Sequence, residues 1–109
     1  MAFDEGLAQR LNELLADQPG VTEKKMFGGY GLLVRGNMCC GILGERLIAR
    51  VGPQKYAEAL RQPHVKEFNF TGRPMKGWVY VDAAGTDSDE DLERWVRQAL
   101  DYVLTLPAK

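Results

Sequence analysis

At 109 residues the chain suits a single domain, 1–109, because one core of this size can bury about two-thirds of the surface that the unfolded chain would expose. Apolar content of 45% and charged content of 27% are ordinary for a globular protein, and a net charge of −1 gives no global pull toward nucleic acid or anionic lipid. The start Met1-Ala2-Phe3-Asp4-Glu5 lacks a basic region ahead of an apolar run, and no window approaches the roughly 18 apolar residues of a membrane span, so a cytoplasmic protein with no membrane contact is expected.

The charge is unevenly spread. Residues 1–22 hold one basic and four acidic side chains, residues 23–76 ten basic and four acidic, and residues 77–109 three basic and seven acidic. A basic centre lies between acidic ends, a distribution that solvated faces of an ordinary protein also produce.

Taken in order, Phe3, Leu7, Leu11, Leu14 and Leu15 recur at helical spacing with Asp4 and Glu5 in the first turn, which predicts an amphipathic helix ended by Pro19-Gly20. Val21 to Phe27 is short and β-capable. The run Gly28-Gly29-Tyr30-Gly31 then calls for a bulge or sharp bend. Three strand-length runs follow, Leu32–Arg35, Met38–Leu43 and Arg46–Val51, separated by Gly36-Asn37 and Gly44-Glu45. Such two-residue signals predict an antiparallel meander.

Two-residue loops fix a register, and residues directly opposite share a face. Arg35 is then set against Met38, Val34 against Cys39, Leu33 against Cys40, Leu43 against Arg46, Ile42 against Leu47, Cys40 against Ala49 and Cys39 against Arg50. One face carries Leu33, Met38, Cys40, Ile42, Leu47, Ala49 and Val51 and is expected to meet the helices. The other carries Leu32, Val34, Cys39, Gly41, Leu43, Arg46, Ile48 and Arg50.

Gly52-Pro53 is read as opening a short helix through Tyr56, Ala57 and Leu60, with proline at its favoured first position. Phe68, Phe70 and Trp78-Val79-Tyr80-Val81 predict two more strands around a basic loop from Thr71 to Gly77. The acidic run Asp87-Ser88-Asp89-Glu90-Asp91 supplies caps for a last helix with the apolar stripe Leu92, Trp95, Val96, Ala99, Leu100, Tyr102 and Val103, running to about Leu106.

The string Lys25-Met26-Phe27-Gly28-Gly29-Tyr30-Gly31, the hydrophobic hairpin after it, and Arg73-Pro74-Met75-Lys76-Gly77-Trp78-Val79-Tyr80-Val81 ahead of an acidic-capped helix resemble the N-terminal domain family of TfoX/Sxy competence regulators over nearly the whole chain. The resemblance implies an α+β fold, an antiparallel sheet covered by helices in α-β(3)-α-β(2)-α order, similar to a secretion chaperone. Full-length regulators of this kind carry a second, C-terminal domain and act with the cyclic-AMP receptor protein in transcriptional activation of DNA-uptake genes. The chain ends at Lys109, so a stand-alone N-terminal-type domain is the expectation. Cys39 stands where family members often have an aromatic residue.

Candidate chemistry is sparse. Gly28 and Gly29 could cradle an anion with successive N–H groups, but the run matches no dinucleotide or P-loop fingerprint. Lys24, Lys25, Arg73 and Lys76, together with Arg46 and Arg50, could form a basic surface near Tyr30 and Trp78. His64 is the one histidine and reads as a loop residue; with two adjacent cysteines it falls short of a zinc set. Cys39 is a candidate redox thiol if Arg50 lies beside it, since a cation lowers a thiol pKa.

No nucleophile–base set, paired carboxylates or cofactor motif can be assembled. The expectation is therefore a non-enzymatic interaction module without cofactor or metal, regulatory in role, whose partner is a protein, a second copy of itself included. Its candidate interface is Leu32, Val34, Leu43, Arg46, Ile48 and Arg50. The alternative is a nucleic-acid-binding accessory factor that uses the basic central segment and the Arg73–Lys76 loop.

Overall fold

The structure is a computed structural model that describes residues 3–26, 28–69 and 74–109; Phe27, the expected strand residue Phe70 and the expected loop residues Thr71, Gly72 and Arg73 lie outside the described residues. The elements are α1 (Glu5–Leu14), β1 (Val21–Met26), β2 (Gly29–Val34), β3 (Asn37–Leu43), β4 (Arg46–Arg50), α2 (Tyr56–Leu60), β5 (Val65–Asn69), β6 (Pro74–Val81), a 3-10 turn at Ala83–Gly85 and α3 (Asp89–Val103). The strands form one six-stranded antiparallel sheet in the order β1-β2-β3-β4-β6-β5. This is the α+β class read from the sequence. Four strands rather than three precede α2, because Val21–Met26 pairs along β2 from Val21↔Val34 to Met26↔Gly29.

Local chemistry sets the helices. The Asp4 carboxylate accepts from the Leu7 N–H at 3.1 Å and the Ser88 hydroxyl from the Asp91 N–H at 3.1 Å, each meeting a donor that the first helical turn leaves unpaired. Arg10 of α1 donates to the Thr86 carbonyl at 2.9 Å and pairs with Asp89 at 3.1 Å, joining α1 to the start of α3. Beyond Val103, the N–H groups of Thr105 and Leu106 bond to the Tyr102 and Val103 carbonyls, so tightened turns carry the chain to Leu106. The helix at Gly52-Pro53 begins later than its sequence suggests. Gly52 has φ +90 and its N–H, like that of Val51, donates to the Gly77 carbonyl, so Pro53–Lys55 forms a turn and the helix proper starts at Tyr56.

All three helices cover one face of the sheet. Leu7, Leu11, Leu92, Trp95, Ala99 and Ala59 pack with Leu32, Val34, Ile42, Leu47, Ala49 and Val79 in a single core. Tyr30 ties α1 to the first hairpin. Its hydroxyl donates to Glu23 Oε2 at 2.6 Å and accepts from Asn12 Nδ2 at 2.7 Å, and its ring stacks on Phe3 at 5.3 Å. Burial first, then the hydrogen bond to Glu23, raises the Tyr30 pKa. The tyrosine of the glycine-rich string therefore has a structural task.

The β2–β3 register departs from the sequence reading. The turn is Arg35-Gly36, with φ of +52 and +84, so Val34 opposes Asn37 and Leu33 opposes Met38. Two positive φ values are those of the primed hairpin turn whose twist suits the flanking strands. The register then shifts between Leu32 and Leu33, and Cys39 is the extra residue on β3 between Met38 and Cys40. Moving a register by one residue turns a strand's side chains to the other face. Leu32 and Val34 accordingly enter the helix-covered core while Leu33 and Met38 leave it half-buried. At the β3–β4 hairpin the expected pairs Leu43↔Arg46, Ile42↔Leu47 and Cys40↔Ala49 are all present.

Candidate partner-binding face

The face opposite the helices is built by alternation along β4. Leu47 and Ala49 point into the core; Arg46, Ile48 and Arg50 point away from it. Strand β6 lies beside β4 with Ile48↔Tyr80 and Arg50↔Trp78 as direct neighbours. Phe68 of β5, where the register with β6 shifts, completes a second apolar cluster with Ile48 and Tyr80, against which Leu43 and Trp78 pack. This cluster consists of strand residues alone, and among the described residues no helix covers it.

Its rings and cations are interleaved. The Phe68 and Tyr80 rings meet edge to face at 4.9 Å, and Phe68 and Trp78 are 6.0 Å apart. The Arg46 guanidinium lies 4.0 Å from the centre of the Tyr80 ring and that of Arg50 4.9 Å from Trp78 and 5.7 Å from Tyr102 of α3. Each contact is worth about 0.5–1 kcal/mol in an exposed setting and more where water is excluded. Among the described residues neither guanidinium makes a hydrogen bond or an ion pair. Met38 lies over Gly41 on the same face, close enough that a Cβ at Gly41 would stand 2.8 Å from its methyl carbon.

The structure therefore gathers Leu43, Arg46, Ile48 and Arg50 of the expected interface and removes Leu32 and Val34, which are buried beneath α1 and α3 by the register change. It adds Trp78, Tyr80 and Phe68. Their alternation with Val79 is visible in the sequence, but their place here depends on the long-range β4–β6 pairing.

The residues proposed for anion or nucleic-acid contact do not form one surface. Lys24 is opposite Gly31 and shares the open face, whereas Lys25 is opposite Tyr30 and lies on the other side of β1. Gly28, with φ +74, and Gly29 are at the β1–β2 turn. Pro74, Met75 and Lys76, read as loop, belong to β6; Lys76 lines a small cleft with Arg50, Gly77 and Trp78. His64 is an exposed turn residue with φ +68.

Cys39 is not the accessible thiol expected beside Arg50. It is 0% exposed, as is Cys40: Cys40 faces the core beside Ala49 as expected, and the bulge turns Cys39 in with it. The Cys40 thiol donates to Cys39 Sγ at 3.7 Å; this bond first, and burial with it, pushes the Cys40 pKa well above the usual thiol range. A raised native pKa favours the protonated protein, so this contribution to stability is complete below about pH 8.5, the unfolded thiol value. It is lost as pH rises through the native value. Native protein at pH 7.5 is accordingly expected to resist iodoacetamide, both thiols reacting only at the rate of unfolding. Labelling at the rate of an ordinary free cysteine would contradict this.

Among the described residues no helix is long and apolar enough to cross a membrane. A search of curated proteins and a search of solved structures each return no match. Residues 13–103 match the family model described as TfoX N-terminal domain, a span that takes in the glycine-rich string, the whole sheet and α3. The chain belongs to the TfoX N-terminal domain family.

Proposed function

We propose that this TfoX N-terminal domain is a cytoplasmic, non-enzymatic regulatory module that works by protein contact through its open sheet face, in the control of transcription or competence. One observation carries the reading: the Arg46 and Arg50 guanidiniums lie over the Tyr80 and Trp78 rings around Ile48, on a face that no helix covers among the described residues. Tryptophan, tyrosine and arginine are the residues that dominate interface energetics when clustered at the centre of a patch. A nucleic-acid-binding role is the second reading, supported by Lys24, Arg46 and Arg50 sharing one face with Lys76 beside it.

Transcript profiling tests the regulatory role. Cells that carry Arg46→Glu/Arg50→Glu at unchanged protein level are expected to reproduce the transcript changes of a deletion strain. A deletion that leaves the transcriptome unaltered would contradict the regulatory reading, and a double variant that behaves as wild type would contradict the assignment of the face.

A further inference from the structure

We propose that the open sheet face is the seat of an acidic amphipathic helix from a partner protein, which places one carboxylate on Arg46, one on Arg50 and an apolar side chain over Ile48. The proposal rests on the partner-binding reading above and adds the chemistry of the partner.

The charge on this face is one-sided. Arg46, Arg50 and Lys24 all project from it; Lys66, opposite Tyr80, is answered by Asp82 at 3.6 Å, while among the described residues the two arginines have no carboxylate partner. The two guanidiniums contact the Tyr80 and Trp78 rings and, among the described residues, make no hydrogen bond, so their N–H donors are available to the two oxygens of a carboxylate. A two-fold partner would bring the same patch against itself and oppose cation to cation, so a second copy docked face to face is disfavoured.

Nucleic acid fits less well. Bases stack on free aromatic ring faces, but Arg46 occupies a face of Tyr80 and Arg50 a face of Trp78.

Spacing favours a helix. Arg46 and Arg50 are four residues apart on one strand, about 13 Å at roughly 3.3 Å per residue, with Ile48 between them. Helical positions i, i+4 and i+7 lie nearly in line and span about 10.5 Å, a distance that the flexible ends of arginine and of Asp or Glu side chains extend to about 13 Å. Asp or Glu at the two ends of such a stripe with an apolar residue midway matches the three side chains. A helix there also completes a layer, because the other side of the sheet is already covered by α1, α2 and α3.

The test is selection of phage-displayed random 16-residue peptides on the immobilised full chain, with Arg46→Ala/Arg50→Ala as counter-target. Recovered peptides and a fluorescent single-stranded oligonucleotide are then titrated against both proteins and against Arg46→Lys/Arg50→Lys. Circular dichroism checks that all three fold alike, and sedimentation follows the chain alone. The expected peptides carry Asp or Glu seven positions apart around a central apolar residue and gain helicity on binding. They are expected to bind the wild type about tenfold or more tighter than the double-alanine protein, with the lysine variant in between and the chain alone a monomer.

Peptides without this acidic pattern, equal affinity for the double-alanine protein, or an empty selection would overturn the proposal. So would tighter, arginine-dependent binding of the oligonucleotide, or self-association that the two substitutions abolish. If the selection fails while a photo-crosslinker on this face still captures a partner in cells, the acidic helix falls and the partner-binding reading stands.

Discussion

Trp95→Ala is expected to lower folding stability by about 3–5 kcal/mol, the largest loss expected for any one side chain of the core. The indole is 1% exposed and stands at the middle of the inward stripe Leu92, Trp95, Val96, Ala99 and Val103, through which α3 meets β3 and β4. Alanine deletes the whole ring. The sheet on one side and α1 on the other fix the walls, so a cavity remains and its cost adds to the lost transfer energy. A domain of this length has total stability of about 5–15 kcal/mol, so the variant is left marginal. Urea unfolding is expected to show a midpoint displaced far downward with an unchanged slope. A loss below about 1.5 kcal/mol would mean that α3 can collapse onto the sheet and that the core is less rigid than its packing implies.

Gly52→Ala is expected to cost about 2–4 kcal/mol, from backbone strain and overpacking together. Gly52 has φ +90, and a Cβ there would run into the ring of Tyr102. The backbone has little room to yield, because the N–H groups of Val51 and Gly52 both donate to the Gly77 carbonyl, at 2.8 and 3.0 Å. The two causes separate in a double-mutant cycle. Tyr102→Ala removes the clash but leaves the φ, so Gly52→Ala is expected to cost clearly less in that background, with a coupling of about 1 kcal/mol or more. Equal cost in both backgrounds would assign the whole effect to the backbone.

The helices and the β3–β4 hairpin are legible in the sequence because both are local. The acidic pair Asp4-Glu5 marks the start of α1, the run around Ser88 supplies the cap of α3, and Gly44-Glu45 sets Leu43 against Arg46. The β2–β3 turn lies one residue away from where the sequence puts it, since Gly36-Asn37 is as good a turn signal as Arg35-Gly36, and arginine at φ +52 is not what a left-handed position suggests. The bulge at Cys39 is invisible in the sequence for a different reason: a bulge is decided by what both faces of the finished sheet must accommodate. Together they move Leu32 and Val34 into the core. Half of the candidate face is therefore readable. Arg46, Ile48 and Arg50 follow from alternation on one strand, but Trp78 and Tyr80 join them only through β4–β6 pairing across the intervening α2 and β5, which no local pattern specifies.

Function by contact through the open face requires that this side of the sheet, and not the helical side, meets a partner. A photo-reactive amino acid placed in cells at Leu43, half-buried on the open face, is to be compared with one at Glu13, exposed on α1. The expected result is a discrete covalent adduct from position 43, none of that size from position 13, and its loss when Arg46→Glu/Arg50→Glu is combined with the position 43 probe. No adduct from position 43, or the same adduct from both positions, would contradict a partner seated on this face.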